Sequence, residues 1–292
     1  MVLAGLREAW TPLRSQWLGE RVLLAVDDRA LQAVALRRGA ISTPFWESML
    51  PAQALVDGRP ALVDTLGDFL GDLLLSQGLM GQAVRLALPP QACHWRVVVW
   101  PLQEWPDDPR EALRTIDPDL RLPFALADAA IDLQPLPGEP LRSLLVAAPR
   151  DLVEAWLAVF AITGSPLERL LPAQVCLRQA LLPALQATPA DGGVLLLHPS
   201  AAGCTALLWR QGLPLYERQF ALDPAQLPHG LEQCLAFYRS RDPGFRLSQL
   251  WLTAALPAPV QDQLAATLGV PLELLDSAPY ASPVLQGLAQ GR

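Results

Sequence analysis

Apolar residues along this chain follow two alternating patterns, one typical of strands and one typical of helices. Residues 21–38 form two apolar runs around Asp27-Asp28-Arg29-Ala30, which predicts two strands joined by a tight turn. The segments AVRLALP and HWRVVVWP are rich in β-branched and aromatic residues and predict strands that each end at a proline. Apolar side chains three and four positions apart predict a helix from about Leu62 to Gly78, and the stretch 42–60 before it is expected to be a loop.

The middle of the chain continues this alternation. The segments AAIDLQPL and RSLLVAAP predict two strands, and a short helix is expected at 109–115 inside a polar, proline-rich stretch. The segment RDLVEAWLAVFAITG has the period of a helix that ends at Gly164. A further helix is expected to open at Pro172, because proline suits the first turn of a helix.

The segment TPADGG, residues 188–193, is the clearest linker, and the pattern restarts after it. The next residues predict three strands in a meander, with turns at 198–203 and 210–213. A helix from about Leu227 to Tyr238, the strand SQLWLT, a helix over 257–268 and the strand VPLELLD follow. The second half thus repeats the plan of the first, which predicts a mixed α/β fold with an internal duplication.

Composition narrows the class of protein. Of the 292 residues, 51% are hydrophobic and 17% charged, enough for a substantial core. The net charge of -7, without a basic stripe or tail, argues against direct nucleic-acid binding. The N-terminus has no uncharged apolar run of the kind that export requires, and no run reaches the ~18 residues of a membrane span. The sequence therefore predicts a cytoplasmic protein.

Two residue types are missing, and each absence excludes a class of chemistry. The chain contains no lysine, which excludes a P-loop, a protein kinase and a Schiff-base enzyme. It contains no asparagine, and so no N-glycosylation acceptor. The four cysteines are widely spaced and are expected to be buried free thiols, and the three histidines lack metal-ligand spacing. These residues are Cys93, Cys176, Cys204, Cys234, His94, His198 and His229. No metal site and no catalytic residue is predicted.

Several segments in order resemble one family. These are LPAQALVDGRPALVDTLGDFLGDLL, LRLPFALADAAIDLQPL, LLVAAPRDLVEAWLAVFAITGSPLERLLPAQVCLRQAL, GGVLLLHPSAAGCTALLWRQGLPLYERQF and LEQCLAFYRS. The fourth keeps a Gly-x-Pro and Arg218 after a hairpin. Over about residues 21–276 the chain resembles the actin-like cytoplasmic proteins of the type IV pilus assembly platform, the PilM kind, with degenerate nucleotide-binding loops.

The resemblance implies an actin-like, duplicated RNase H-like fold of two lobes with mixed sheets. Residues 1–20 would be an N-terminal tail, 21–190 a first lobe with an inserted subdomain, and 191–292 a second lobe. It also implies a partner, the short cytoplasmic N-terminal tail of a single-span inner-membrane pilus protein, bound in a groove. A pilus motor ATPase is a further candidate partner, and the protein would be peripheral to the inner membrane through its partner.

The resemblance also places a nucleotide site, and this sequence departs from it three times. A phosphate loop needs glycine so that backbone N–H groups can approach phosphate oxygens. Where the family has Asp-x-Gly in the first hairpin, this chain has Asp27 but Arg29 in place of glycine. The second hairpin offers His198-Pro199-Ser200, with Gly203 available for a displaced turn. The glycine pair expected beneath the adenosine is Ala254-Ala255.

These departures predict that Asp27 is at most a weak remnant of a cofactor-binding residue. No cofactor is expected, because binding of ATP with Mg²⁺ should be weak or absent, and the protein is expected to be a pseudo-ATPase. The leading hypothesis is a non-enzymatic cytoplasmic scaffold of a type IV pilus or DNA-uptake machine. The alternatives are an active ATPase with rebuilt phosphate loops, the cytoplasmic module of a type II secretion platform, and a divergent sugar-kinase-like enzyme.

Overall fold

The computed structural model of the protein describes residues 19–102, 104–116, 122–223 and 226–291. The described strands are β1 (Glu20–Val26), β2 (Ala30–Arg37), β3 (Ala40–Met49), β4 (Leu55–Val56), β5 (Arg59–Pro60), β6 (Ala83–Leu88), β7 (His94–Val99), β8 (Ala129–Leu136), β9 (Arg142–Pro149), β10 (Leu167–Pro172), β11 (Gly192–Ser200), β12 (Gly203–Arg210), β13 (Leu213–Phe220), β14 (Arg246–Leu252) and β15 (Leu272–Leu274). The described helices are α1 (Val63–Ser76), α2 (Pro109–Ile116), α3 (Arg150–Thr163), α4 (Ala173–Gln186), α5 (Leu227–Arg241), α6 (Ala258–Leu268) and α7 (Pro283–Gln290).

Two five-stranded sheets have the same topology. The first has the order β10-β6-β1-β2-β3 and the second β13-β12-β11-β14-β15. In each, three strands form an antiparallel meander, and the first strand of the meander pairs in parallel with a strand that follows a crossover helix. The duplication predicted from the sequence is thereby confirmed, and the mixed α/β class with it. The predicted boundary between the two lobes, residue 190, lies in the chain between the last strand of the first sheet and the first strand of the second. The division of the chain into lobes at this residue stays a prediction.

The two sheets enclose a pair of helices. Leu23 and Val34 of the first sheet and Leu196 and Leu207 of the second share one core with α4 and α7. The opposite face of the first sheet packs against α1 and α3, and that of the second against α5 and α6. Strands β1 and β11 are apolar on both faces because each face is covered, which explains their continuous apolar runs.

Helices α4 and α7 cross closely inside this shared core. A Cβ added to Gly287 would lie 1.8 Å from the carbonyl oxygen of Cys176, so only glycine fits at the crossing. The C-terminal end of α7 is held by Arg85, whose guanidinium donates to the carbonyl oxygens of Leu288 and Gly291 at 3.2 and 2.6 Å. The same guanidinium pairs with Glu168 at 3.1 Å. The last helix is therefore fastened to the first sheet.

A third sheet, with the order β7-β9-β8, is inserted between β6 and β10. Its strands are antiparallel, and Trp100, Val98 and Leu145 pack on Leu113 of α2. Because β9 is central, β7 and β8 each keep one unpaired edge. These two edges line the grooves described below.

Most elements predicted from the sequence are confirmed, and one prediction is wrong. The helices with their ends at Gly78 and Gly164, the short helix at Pro109 and the second meander lie where expected. The stretch 42–60 is not a loop, because it contains most of β3 as well as β4 and β5. Strand β3 contains Pro44 and lies at the edge of its sheet, where a missing N–H is tolerated. Strand β10 and helix α7 were not predicted.

All four cysteines are buried and free, as predicted. Of the predicted tail at residues 1–20, all but the last two residues lie outside the described part of the chain. Within the described ranges, no helix combines the length and the apolarity that crossing a bilayer requires.

Candidate functional site

The first hairpin turn uses the carboxylate of Asp27 for its own closure. Oδ1 of Asp27 accepts hydrogen bonds from the N–H groups of Arg29 and Ala30 at 2.7 and 2.8 Å. The N–H of Asp27 donates to the carbonyl of Ala30 at 2.9 Å, so the turn is bonded in both directions. The N–H groups at this bend are therefore already bonded to a carboxylate of the same loop, whereas a phosphate loop would direct them at phosphate oxygens.

The neighbouring acid, Asp28, also has a structural role. Its carboxylate accepts hydrogen bonds from the N–H groups of Asp57 and Gly58 at 3.2 and 2.8 Å. Both of those residues have positive φ, +51° and +76°. A Cβ at Gly58 would lie 2.6 Å from the Cβ of Ala92, so the Val-x-Asp-Gly segment needs its glycine for close packing. Asp28 thus joins the first hairpin to this turn.

The second hairpin carries a neutral ring where the resemblance implies a carboxylate. The Nδ1 of His198 lies 2.8 Å from Oγ1 of Thr253, at the end of β14. Burial lowers the pKa of His198 to about 4, although the negative charge of Asp27 acts to raise it. The ring is therefore neutral at physiological pH. Pro199 has no N–H to offer, and the hydroxyl of Ser200 donates to the carbonyl of Gly203 at 3.3 Å.

Gly203 closes this hairpin in the displaced position expected from the sequence. It pairs with Ser200 at the start of β12 and has a φ of +138°. A Cβ there would lie 2.3 Å from the carbonyl oxygen of Phe220, so the glycine is explained by contact with the next strand. Ala254 and Ala255 follow β14 as exposed residues.

The two hairpins meet at a small cavity of about 80 Å³. It is lined by the acidic residues Asp27 and Glu47, by the polar residues Gln32, His198, Ser200 and Ser282, and by apolar and proline residues, without a single arginine. The N-termini of α4 and α7 reach it, and their dipoles offset part of the carboxylate charge. A small-molecule site usually measures about 300–1,000 Å³. The residues present do not fit a nucleoside triphosphate, because the cavity is too small for one and the backbone donors of the first bend are already bonded to Asp27.

Two larger grooves flank the inserted sheet, one along each unpaired edge. The first, of about 210 Å³, lies between β8 and β10, and its walls are mainly apolar. We call it the apolar groove; it is lined by Leu88, Cys93, Ala130, Ile131, Asp132, Val146, Ala148, Val153, Leu170, Leu171 and Pro172. Because β8 and β10 are both edge strands, unpaired backbone groups face this space.

The second groove, of about 680 Å³, lies between β7 and β13. We call it the arginine groove; it is lined by residues 90, 91, 93–97 and 214–219, which include Arg96 and Arg218. At one end the two strands are tied together by Glu217, whose carboxylate accepts hydrogen bonds from the indole N–H of Trp95 and from the amide of Gln174. Burial raises the pKa of Glu217 to about 7, and the two donors limit the rise.

The structure brings Asp27 and His198 to one cavity, as the duplicated hairpins predict, while Ala254 and Ala255 lie outside its lining. Glu47, Gln174 and Glu217 were not singled out in the sequence. Each is a single polar residue on a strand or helix, and its position depends on elements far away in the chain. The described residues contain no group of three side chains with the ligand types and proximity of a metal site.

No model of a known protein family matches the chain, and no curated protein matches it. Solved structures do match over nearly its whole length. One, described as the PilM-PilN type IV pilus biogenesis complex, is 19% identical with a TM-score of 0.75, covering 92% of this chain and 97% of that chain. Another is a Bacteroides thetaiotaomicron protein of actin-like ATPase fold and unknown function, 9% identical with a TM-score of 0.59, covering 95% and 98%. The fold is actin-like.

A third match is the cytoplasmic domain of EpsL, an inner membrane component of the type II secretion system of Vibrio cholerae. It is 12% identical with a TM-score of 0.54, covering 93% of each chain. The similarity to the PilM kind noted in the sequence is confirmed at the level of the fold. At these identities the similarity concerns the architecture, and the chemistry of this actin-like protein has to be argued from its own residues.

Proposed function

We propose that this protein is a non-enzymatic scaffold on the cytoplasmic side of a type IV pilus or DNA-uptake machine. It binds the short N-terminal tail of a single-span inner-membrane partner, and it is peripheral to the membrane through that partner. A pilus motor ATPase is a second proposed partner. The observation that carries the proposal is that a small cavity between the two hairpins occurs together with an open apolar groove in an actin-like fold.

The pseudo-ATPase part of the proposal is supported by the state of the two hairpins. The N–H groups at the first bend are bonded to Asp27, and the second bend presents a neutral His198 and a proline. Phosphoryl transfer depends on backbone donors around the phosphates, and at the first bend these donors are already bonded to the carboxylate of Asp27. Assembly does not need that chemistry, so the scaffold function does not depend on a nucleotide.

The proposed site of the membrane tail is the apolar groove. An extended peptide can pair with the free edge of β8 or β10 and place every second side chain among Leu88, Val146 and Val153. The similarity to the structure described as a PilM-PilN complex supports a partner of this kind. The similarity to the EpsL cytoplasmic domain favours a second candidate, a platform module of type II secretion.

A matched pair of variants tests the proposal. Ala130 and Gln134 lie on the same face of β8, but only Ala130 lines the apolar groove. Ala130→Phe should block the groove, whereas Gln134→Phe adds the same ring outside it. Full-length wild type, used to capture proteins from inner-membrane extracts, should retain a single-span protein with a short cytoplasmic N-terminal tail. A synthetic peptide of that tail should bind wild type and Gln134→Phe alike, and Ala130→Phe at least about tenfold more weakly.

Two results would overturn the proposal. One is that no such tail peptide binds the wild-type protein. The other is that both phenylalanine variants bind it as well as wild type, which would place the partner elsewhere. The function of the captured protein distinguishes a pilus or DNA-uptake machine from a type II secretion platform.

A further inference from the structure

Helix α3 has an apolar face on its solvent side. The outward positions in its second half are all apolar and exposed: Leu157, Ala158, Ala161 and Ile162. The two large side chains, Leu157 and Ile162, are 53% and 41% exposed. A surface helix normally directs polar residues to solvent, and its opposite side is the one buried against the first sheet. An apolar patch at neighbouring helix positions therefore indicates a surface that contacts another molecule.

Helix α1 lies directly beside this face. A Cβ added to Gly67 would lie 2.7 Å from the Cβ of Ile162 and 3.1 Å from the carbonyl oxygen of Val159. One added to Gly71 would lie 3.5 Å from the carbonyl oxygen of Thr163. Because a step of four residues along α1 matches a step of four along α3, the two helices run side by side in the same direction. The glycines keep the border between them low, so the apolar face continues to α1 without a ridge of side chains.

The solvent side of α1 carries an acidic stripe. Asp64, Asp68 and Asp72 are exposed and four residues apart, so their carboxylates follow one face of the helix for about 12 Å. Within the described ranges no arginine or histidine forms an ion pair with any of the three. Like charges four residues apart destabilise a helix, and cations placed beside them would remove this repulsion. The stripe is therefore complementary to a positively charged ligand.

We propose that α1 and α3 together form a docking surface for a basic amphipathic helix of a partner protein. The apolar side of that helix packs on Leu157 and Ile162, and its arginine or lysine side chains pair with Asp64, Asp68 and Asp72. Two parallel helices offer a groove into which the ridge of a third can pack, and an amphipathic helix in such a groove is a common mode of recognition. Nucleic acid and anionic membranes are poorer ligands, because the stripe repels negative charge.

This docking surface is separate from the sites described above. None of its apolar or acidic side chains lines the small cavity, the apolar groove or the arginine groove. The proposal therefore does not depend on the proposed function. Its electrostatic part should depend on salt, because exposed charges are screened. Raising the ionic strength from about 0.01 M to about 0.15 M shortens the screening length from about 30 Å to about 8 Å and should weaken binding.

The test uses a fluorescein-labelled peptide of about 18 residues, five helical turns, with leucines along one side and lysines along the other. A peptide of the same composition in scrambled order keeps the charge and loses the two-sided pattern. By fluorescence anisotropy on the full chain at low salt, the patterned peptide should bind at least about tenfold more tightly than the scrambled one.

Two pairs of variants locate the binding site. Leu157→Gln should weaken binding at least about fivefold, whereas Leu274→Gln, the same change at an exposed position of β15, should alter it less than about twofold. Asp68→Arg should weaken binding at least about tenfold, whereas Asp262→Arg on the exposed surface of α6 should alter it less than about twofold. Ala130→Phe, which blocks the apolar groove, should bind the patterned peptide like wild type.

Circular dichroism melting curves of the Leu157 and Asp68 variants should match wild type, because both side chains are exposed. The proposal is overturned if the scrambled peptide binds as tightly as the patterned one. It is equally overturned if Leu157→Gln and Asp68→Arg weaken binding no more than their controls. If the protein alone sediments as a dimer that Leu157→Gln dissociates, the surface is occupied by a second copy of the chain and the proposed partner is wrong.

Discussion

The crossing of α4 and α7 makes a sharp prediction about how the two sheets are held together. In Gly287→Ala, the new Cβ would start 1.8 Å from the carbonyl oxygen and 2.4 Å from the carbonyl carbon of Cys176. A carbon and an oxygen that are not bonded normally stay more than about 3 Å apart, so the helices must separate by more than an ångström. Both partners are backbone atoms in a packed core, and neither can turn aside.

Such overpacking costs about 3 kcal/mol of unfolding free energy, at the upper end of the usual range. For a chain of this length we expect the melting temperature to fall by about 5 °C. The matched control is Gly71→Ala in α1, where the nearest atom to a new Cβ would be the carbonyl oxygen of Thr163 at an ordinary 3.5 Å. This change should raise stability by about 0.5–1 kcal/mol, because alanine is a better helix former.

Urea unfolding followed by circular dichroism measures both variants. The two alanine substitutions should change the unfolding free energy in opposite directions. If Gly287→Ala is as stable as wild type, the close helix crossing described here is wrong, and with it the account of how the shared core joins the two sheets.

Three further predictions concern single polar residues. Because the pKa of Glu217 is about 7 in the folded protein against 4.5 for a free carboxyl, the folded state holds the proton more tightly, so stability falls by about 3 kcal/mol as the pH rises from 4.5 through 7. In Glu217→Gln that loss should vanish, so the unfolding free energy of the variant relative to wild type, measured with urea, should rise between pH 5 and 8. A difference in unfolding free energy that stays constant with pH would contradict this. Arg85→Met leaves the carbonyls of Leu288 and Gly291 without their donor, while Glu168 keeps Arg21 as a partner, and should cost about 2–3 kcal/mol, with faster amide hydrogen exchange in α7; unchanged exchange there would refute its fastening role. Asp27→Asn keeps an oxygen for the turn and should melt like wild type, whereas Asp27→Ala should lose about 1 kcal/mol; equal stability of the two variants would show that the carboxylate does not close the turn.

Elements buried on both faces were predictable from the sequence, and elements shaped by tertiary contacts were not. Strands β1 and β11 contain continuous apolar runs because helices cover both sides of each sheet. Strand β3 was missed because it lies at a sheet edge, alternates with exposed residues and contains a proline. Helix α7 is only eight residues long, and its burial comes from α4 and the first sheet, which its own sequence does not reveal.

The same distinction holds for the candidate sites. The two hairpins could be located because the chain repeats its meander, and that repetition brings Asp27 and His198 to one cavity. The burial of Glu217 could not be predicted, because the groups that cover it come from β7 and α4, far away in the chain. The sequence singled out Arg218 only as part of a segment that resembles the family. Its position on the edge strand β13 is a finding of the structure.

The actin-like architecture combines a small cavity between the two hairpins with larger grooves along the inserted sheet. The inserted sheet presents one edge to the apolar groove and the other to the arginine groove. In the proposed function, the apolar groove is the one that holds the membrane tail.

The central claim is that this cleft no longer accepts a nucleotide. Isothermal titration of the full chain with millimolar ATP and Mg²⁺ tests it most directly. The account predicts no saturable heat of binding and no release of phosphate. A clear isotherm with micromolar affinity would contradict it, and would make the alternative of an ATPase with rebuilt phosphate loops the correct one.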